Sequence, residues 1–431
     1  MSDLMRPVTA RGFRDVLPAE AAERDAVSRA IADEFASWGY GLVETPVAED
    51  LAALEAAAGP LQGTAFRLID LDGRLLALRP DMTVPIARLV ASRLSGVPGP
   101  HRFRYAAEVF REHESLRGQA RQFSQAGVEL IGEEGPSADA EVVSLLVAAL
   151  DAAGLPEFTI AIGTVAVLHA ILTAAEAPAA WNEAVLAAAH ERNLVGLDVL
   201  ARDAANPAVA RALSAVPRIR GGREAIVACR EATAGLGCED ALDQLSRAWT
   251  LLEASGAASR VLVDFSVMRS FDYYTGLVLE AYAPGLGLPL AGGGRYDGVL
   301  AAFDAPAPAI GFALGLERVM IALMEQQARV SVRGLDAVLG GDAASALEVA
   351  RTLRAAGWHV ALSQRTGLGL VREAERLGAA EALQARAGTQ PVRLDREGQP
   401  ALPLEEPTPY PPTSTWAEPA TDAPSLGGTR P

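Results

Sequence analysis

The sequence predicts an α+β fold: an antiparallel sheet flanked by helices, carrying a helical insertion and followed by a small C-terminal α/β unit. Three observations predict it. The stretch from His101 to Gly132 reads as two strands joined by a long polar loop. Residues 181–257 are rich in alanine and leucine at helical spacing, with almost no strand signal. From Gly334 onward strands and helices alternate, which argues a small parallel sheet.

The hairpin is the most informative stretch. Arg102 to Arg111 is rich in aromatic and branched residues, whereas Gln122 to Ile131 alternates polar and apolar residues. A period of two places Phe123, Gln125, Gly127 and Glu129 on one face of the second strand. An amide and a carboxylate then point the same way with a glycine between them, as a small amino-acid-like ligand would require. The solvated outer face of a sheet is the alternative.

The remaining elements follow in order. Pro18 opens a helix with Ala22, Val27, Ile31 and Phe35 at helical spacing, and Gly39 stops it. Tyr40 to Pro46 reads as a strand ending at proline, and Phe66 to Leu78 as a hairpin turning at Asp72-Gly73. Arg79-Pro80-Asp81-Met82-Thr83 then enters a helix, where Asp81 reads either as a cap or as a ligand contact. Ala138 to Ala153 is an amphipathic helix, and Phe158 to Gly163 and Arg260 to Phe265 are short apolar strands. Gly292-Gly293-Gly294 is expected between a strand and a helix; it lacks the order of a P-loop or a dinucleotide site. Arg318 opens an apolar helix, where it faces a flat ring or a phosphate, or pairs with Glu317. The expected organisation is a core over 1–325 interrupted at 181–257, an α/β domain over 334–397, and a disordered Pro-rich tail over 398–431.

Composition narrows the function. The chain has 431 residues, half of them hydrophobic, enough for a substantial core. With a net charge of −16, phosphate is repelled unless arginines are gathered, so nucleic acid is not the expected partner. There is no lysine, which excludes a lysine Schiff base and a P-loop lysine. Cys229 and Cys238 have no metal-ligand spacing and are expected to be buried or idle, and no metal or cofactor is expected. Neither a membrane span nor a secretory leader is expected, so the cytoplasm is the expected location.

The motifs in order resemble the class II aminoacyl-tRNA synthetase core, and within it the histidyl branch. The match runs from Gly12 to about Leu323: Gly12-Phe13-Arg14-Asp15 with Gly39-Tyr40, then Phe110-Arg111 with Arg121-Gln122-Phe123, Gln125, Gly127 and Glu129. Asp272-Tyr273-Tyr274-Thr275-Gly276, Gly292 to Gly298 and Gly315-Leu316-Glu317-Arg318 complete it. The resemblance implies a histidine pocket made by Asp81, Met82, Thr83, Arg111, Gln125, Glu129, Arg269, Tyr273, Tyr274 and Tyr296. Asp81 and Gln125 suit the ligand's ammonium, arginine its carboxylate, and Glu129 with a tyrosine hydroxyl its imidazole. Arg111, His113, Gln119 and Arg318 would be the remnants of an ATP site.

Departures from that branch redirect the function. His113 stands where a working ligase carries a glutamate and Gln119 where it carries an arginine, and neither can do the same work. Asp81 replaces a glutamate, and the C-terminal unit lacks the basic excess of a tRNA clamp. These features resemble the family of ATP phosphoribosyltransferase regulatory subunits. That resemblance implies a non-catalytic protein in the first step of histidine biosynthesis. It would form dimers through the motif 1 region and a hetero-octamer with the short-form catalytic subunit, and would take part in histidine feedback. A histidine–tRNA ligase with an eroded anticodon-binding domain is the alternative, and an empty structural scaffold the third reading.

Overall fold

The computed structural model describes residues 8–59, 61, 65–112, 120–267 and 274–404. It divides into two compact units, Met1–Ser331 and Val332–Pro431.

The first unit opens with α1 (Pro18–Ser37), β1 (Gly41–Leu42), β2 (Ala48–Asp50), α2 (Leu51–Ala58), β3 (Arg67–Ile69), β4 (Leu75–Leu78) and α3 (Thr83–Arg93). The long hairpin follows as β5 (His101–Phe110) and β6 (Gln122–Ile131), then α4 (Pro136–Ala152), β7 (Thr159–Thr164) and α5 (Val165–Ala175). A mostly helical segment comes next: α6 (Ala179–His190), α7 (Leu194–Arg202), α8 (Pro207–Ala215), β8 (Arg220–Gly221), α9 (Arg223–Ala232) and α10 (Glu239–Ala254). The unit closes with β9 (Val261–Asp264), β10 (Leu277–Tyr282), β11 (Ala291–Arg295), β12 (Ala309–Gly315) and α11 (Leu316–Glu325).

Nine strands form one sheet in the order β1-β5-β6-β12-β11-β10-β7-β9-β8, antiparallel except at β1/β5 and β7/β9. The hairpin keeps register over its whole length, from His101 opposite Ile131 to Phe110 opposite Gln122. Alternation on β6 sorts its side chains cleanly. Ala126, Val128 and Leu130 enter an apolar core with Val27, Ile31 and Phe35 of α1 and Val142, Leu145 and Leu146 of α4. The opposite face, with Gln125, Gly127 and Glu129, is left for the site.

Two sequence expectations for the elements of this unit change. The strand expected over Tyr40 to Pro46 pairs only at Gly41–Leu42, since Pro46 removes a ladder donor and Val43 makes a single further bond to Arg104. The glycine triplet does not lie between a strand and a helix; it is the body of β11, between β10 and β12. The helices of the expected insertion, residues 181–257, share the apolar core of the rest of the unit. Val185, Leu197, Leu213, Leu242, Leu245, Trp249 and Leu252 lie in the same apolar cluster as α4 and β6. Cys229 and Cys238 are buried free thiols in that cluster, and burial pushes the Cys229 thiol up to about 12.

The second unit contains β13 (Ala337–Gly341), α12 (Ala343–Ala355), β14 (Val360–Leu362), α13 (Gly367–Leu377), β15 (Glu381–Ala385), β16 (Val392–Leu394) and β17 (Pro400–Pro403). Its sheet runs β14-β13-β15-β16-β17, with the first three strands parallel. Separate apolar clusters join the sheet to α12 and to α13. Gln399 to Leu404 was expected in the disordered tail, yet β17 pairs with β16 as an outer strand, where prolines are tolerated because one edge needs no donors. The rest of that expected tail, 405–431, lies outside the described residues.

One buried ion pair anchors the glycine-rich strand. Arg295 at the end of β11 donates from Nε (3.0 Å) and NH2 (2.7 Å) to Asp139 on α4, and from NH1 to the Glu133 carbonyl and to Asp297, both at 3.2 Å. Removing the guanidinium leaves a buried carboxylate unpaired. Arg295→Ala is therefore expected to lower the unfolding free energy by roughly 3 kcal/mol, read from urea denaturation; a loss below about 1 kcal/mol, the range of an exposed pair, contradicts this role.

Candidate functional site

A cavity of about 360 Å³ opens on the sheet face that carries Gln125. That is the small end of the range for ligand pockets, roughly 300 to 1,000 Å³. Its floor is β6, β11 and β12 at Phe123, Gln125, Gly293, Gly311 and Ala313. Its walls come from Asp81 and Thr83 at the entry to α3, Arg111 after β5, Tyr274 before β10, Tyr296 after β11, and Arg318 on α11.

Glu129 sits at the base, 1% exposed. Thr83 Oγ1 donates to its Oε1 at 2.8 Å, and the Tyr296 hydroxyl donates to its Oε2. Its position depends on the residue opposite it on β12: a Cβ built on Gly311 would lie 1.9 Å from Glu129 Oε2. Burial pushes the Glu129 carboxyl up to about 8; the two hydroxyls pull it down and Asp81 pushes it further up.

Asp81 both caps the start of α3 and lines the cavity. Its Oδ1 accepts from the Val84 N–H at 3.4 Å, which steadies the first turn of α3, and the carboxyl lines the cavity. Burial raises its pKa while the charge of Arg111 lowers it. Arg111 donates from Nε to the Pro80 carbonyl at 2.8 Å, and its guanidinium lies 5.2 Å from the centre of the Phe123 ring. Gln125 is buried, and its Oε1 has no hydrogen-bond partner among the described residues. An orphaned buried amide oxygen is costly, so it marks a place for a donor on a ligand.

The far end of the cavity is more apolar, with Leu288, Leu290 and Ile321 beside Arg318, whose NH1 donates to the Pro289 carbonyl at 2.7 Å. Glu317 is not held by its neighbour Arg318 in the way one sequence reading allowed. It accepts the Ser124 N–H at 3.0 and 3.1 Å and lies 3.6 Å from Arg24 of α1. The strand edge beside Gln125 is thereby tied to two helices.

The structure gathers Asp81, Thr83, Arg111, Gln125, Tyr274, Tyr296 and Arg318 around this space, with Glu129 beneath it. Met82 is the correction among the expected pocket residues. It is 1% exposed and packs with Leu51, Leu54 and Ile86 in the apolar cluster behind the cavity wall, because the turn into α3 sends it away from its neighbours Asp81 and Thr83. His113, Gln119, Arg269 and Tyr273 lie outside the described residues.

Sequence reasoning missed Tyr105. It stands opposite Gly127 in the hairpin register, and its hydroxyl fills the space where a Gly127 side chain would go, 2.4 Å from an ideal Cβ. There it interacts electrostatically with Glu129, Asp81 and Tyr274. The signal was present in the pairing of an aromatic residue with a cross-strand glycine, but it needs the register to be known.

Taken together, a largely antiparallel sheet, an arginine leaving the first strand of its long hairpin, and a glycine-rich strand paired with the strand that leads into α11 define a class II synthetase-type core. Comparison with known proteins agrees. The family profile described as histidyl-tRNA synthetase matches residues 12–319. A protein of Moorella thermoacetica named ATP phosphoribosyltransferase regulatory subunit is 42% identical over 354 residues, covering 81% of this chain and 90% of that one. A protein of the same name from Symbiobacterium thermophilum is 41% identical, covering 86% of this chain and 95% of that one. A crystal structure from Bacillus halodurans, titled ATP phosphoribosyltransferase regulatory subunit/histidyl-tRNA synthetase, superposes with a TM-score of 0.79 at 32% identity, covering 89% of this chain and 99% of that one. The chain belongs to the family of ATP phosphoribosyltransferase regulatory subunits, built on the histidyl-tRNA synthetase fold.

The raised Glu129 pKa has a sign that can be tested. Unfolded, this carboxyl ionises near its ordinary value of 4.5; folded, it keeps its proton until about 8. The folded state binds more protons between those values, so the group's contribution makes stability fall as pH rises through that window, by up to about 1.4 kcal/mol per pH unit. In ligand-free protein, Glu129→Gln should therefore gain on wild type in thermal melting from pH 5 to pH 8. A constant difference across that range contradicts the assignment.

Proposed function

We propose that this chain is the non-catalytic, histidine-sensing subunit of ATP phosphoribosyltransferase. It assembles with the short-form catalytic subunit, which condenses ATP with phosphoribosyl pyrophosphate, and is required for that subunit's activity. One observation carries the ligand reading: a cavity of amino-acid size brings Asp81, the unpartnered Gln125 amide oxygen and the Thr83–Glu129–Tyr296 group to the same sheet face. An ammonium fits Asp81 and Gln125, a carboxylate fits Arg111, and an imidazole fits Glu129 with its hydroxyls. Arg269 and Tyr273 belong to the same proposed pocket by their place in the motif. Self-association as dimers through the motif 1 region, a hetero-octamer with the catalytic subunit and a cytoplasmic location complete the proposal.

A second reading, histidine–tRNA ligase, is favoured by Arg111 and Arg318 both lining the cavity. Against it stand His113 and Gln119, which cannot supply the acceptor and the charge that ATP activation requires.

Calorimetric titration is expected to show L-histidine binding, weakened by about 1 to 3 kcal/mol in each of Glu129→Ala and Tyr274→Phe through lost buried hydrogen bonds. Unchanged affinity in both variants removes the pocket assignment. Histidine-dependent exchange between ATP and pyrophosphate is expected to be absent, and robust exchange would establish the ligase reading instead. Co-purification with a short-form catalytic subunit, and loss of its activity when this chain is withheld, tests the assembly.

A further inference from the structure

Glu129 is an unusual base for a pocket because, among the described residues, its hydrogen-bond partners are hydroxyls and not cations. Among the described residues no arginine or histidine forms an ion pair with it. The groups that face it are hydroxyls and a second acid: Thr83 and Asp81 from the entry to α3, Tyr105 from β5, and Tyr296 after β11, while Tyr40, in the α1–α4 core across the sheet, is bonded to Glu141 and acts on it only through its charge. From β12 it meets only the bare backbone of Gly311. Arg111 acts on Asp81 and Tyr105. An ionised carboxylate at that depth, with an uncharged ring against it, would be a buried charge without a partner.

Resting on the histidine reading of this cavity, we propose that the bound state holds one titratable proton shared between the Glu129 carboxyl and the ligand's imidazole, so that the complex forms with that single proton whichever partner brings it. The proton has two possible sources. A carboxylic acid can donate to a neutral ring, or an imidazolium can donate to a carboxylate, and both arrangements contain the same atoms and the same charge. An additional proton would bury an imidazolium beside a neutral acid that cannot compensate its charge, and one fewer would leave the uncompensated carboxylate. The pocket therefore reads the protonation of its ligand as well as its shape.

The consequence for binding has a definite sign. Between the ring's ordinary pKa of about 6.5 and the carboxyl's value of about 8, the free site supplies the proton to a neutral ring, and binding exchanges none with solvent. Above that window the free carboxyl has lost its proton, so binding takes one up and affinity falls about tenfold per pH unit. Below it both partners arrive protonated, so one proton is released and affinity falls again.

The test is isothermal titration with L-histidine from pH 5.5 to 9 in paired buffers of different ionisation enthalpy, which counts protons directly. Wild type is expected to show no exchange near pH 7.3, and near one proton taken up at pH 9 on top of what the ligand's own ammonium requires. Glu129→Gln controls for the ammonium and should lack the added uptake and the added tenfold fall. Tyr296→Phe, which removes a hydroxyl that favours the ionised carboxyl, should weaken binding and move its alkaline limb to higher pH. Release of a proton at pH 7.3, an alkaline limb identical in wild type and Glu129→Gln, or an unmoved limb in Tyr296→Phe would each overturn the shared-proton state. Absence of any binding heat in wild type at every pH would instead remove the histidine reading on which it rests.

Discussion

The hydrogen-bonded burial of Glu129 is the constraint on which the site depends. A carboxyl can reach this depth only if its oxygens find donors and its volume finds room, and three different parts of the chain supply them. Thr83 comes from the entry to α3, Tyr296 from the turn after β11, and the room from Gly311 on β12. Each would be unremarkable alone. Their convergence fixes how β6, β11 and β12 stack, because a side chain at 311 would collide with the carboxylate and one at 293 would lie 2.1 Å from the Gly311 carbonyl. The run of glycines is thus a packing requirement of the polar base and not a phosphate-binding loop.

Much of this was legible because the relevant patterns are local. The alternation on β6 separates Gln125 and Glu129 from Ala126, Val128 and Leu130 without knowledge of anything else in the fold. Val27, Ile31 and Phe35 likewise announce the buried stripe of α1, and all three are buried in it. What stayed hidden required three-dimensional information. Met82 sits between two cavity residues in sequence, and only the geometry of the turn into α3 shows that it faces the other way. Tyr105 reaches the site through cross-strand register, and Leu288, Leu290 and Ile321 enter it from segments with no motif of their own. Proline at 400 and 403 argued against a strand, but an outer position makes few demands on backbone donors.

The charge balance also separates this chain from an ATP-activating enzyme. Phosphoryl chemistry is carried by preorganised positive charge aimed at the phosphates. Here Arg111 is engaged with the Pro80 carbonyl and the Phe123 ring, Arg318 with the Pro289 carbonyl, and Arg121 with Glu112 and the Phe13 and Phe66 rings. Each of these guanidinium groups thus gives at least one contact to holding strands and loops together, while those of Arg111 and Arg318 also line the cavity. The inner end of the cavity, by contrast, brings acid, amide and hydroxyl side chains together at Asp81, Thr83, Gln125 and Tyr296.

The helices over 179–254 share one apolar interior with the back of the ligand-bearing strand: Leu245, Trp249 and Leu252 of α10 belong to the same cluster as Val143, Leu146 and Leu150 of α4 and Val128 of β6. Protein interiors are packed nearly as densely as organic crystals and compress little. Mechanically, the outer surface of those helices and the floor of the cavity are therefore two ends of one stiff body. Any shift of those helices against α4 must be accommodated within the same packed interior that backs the cavity floor.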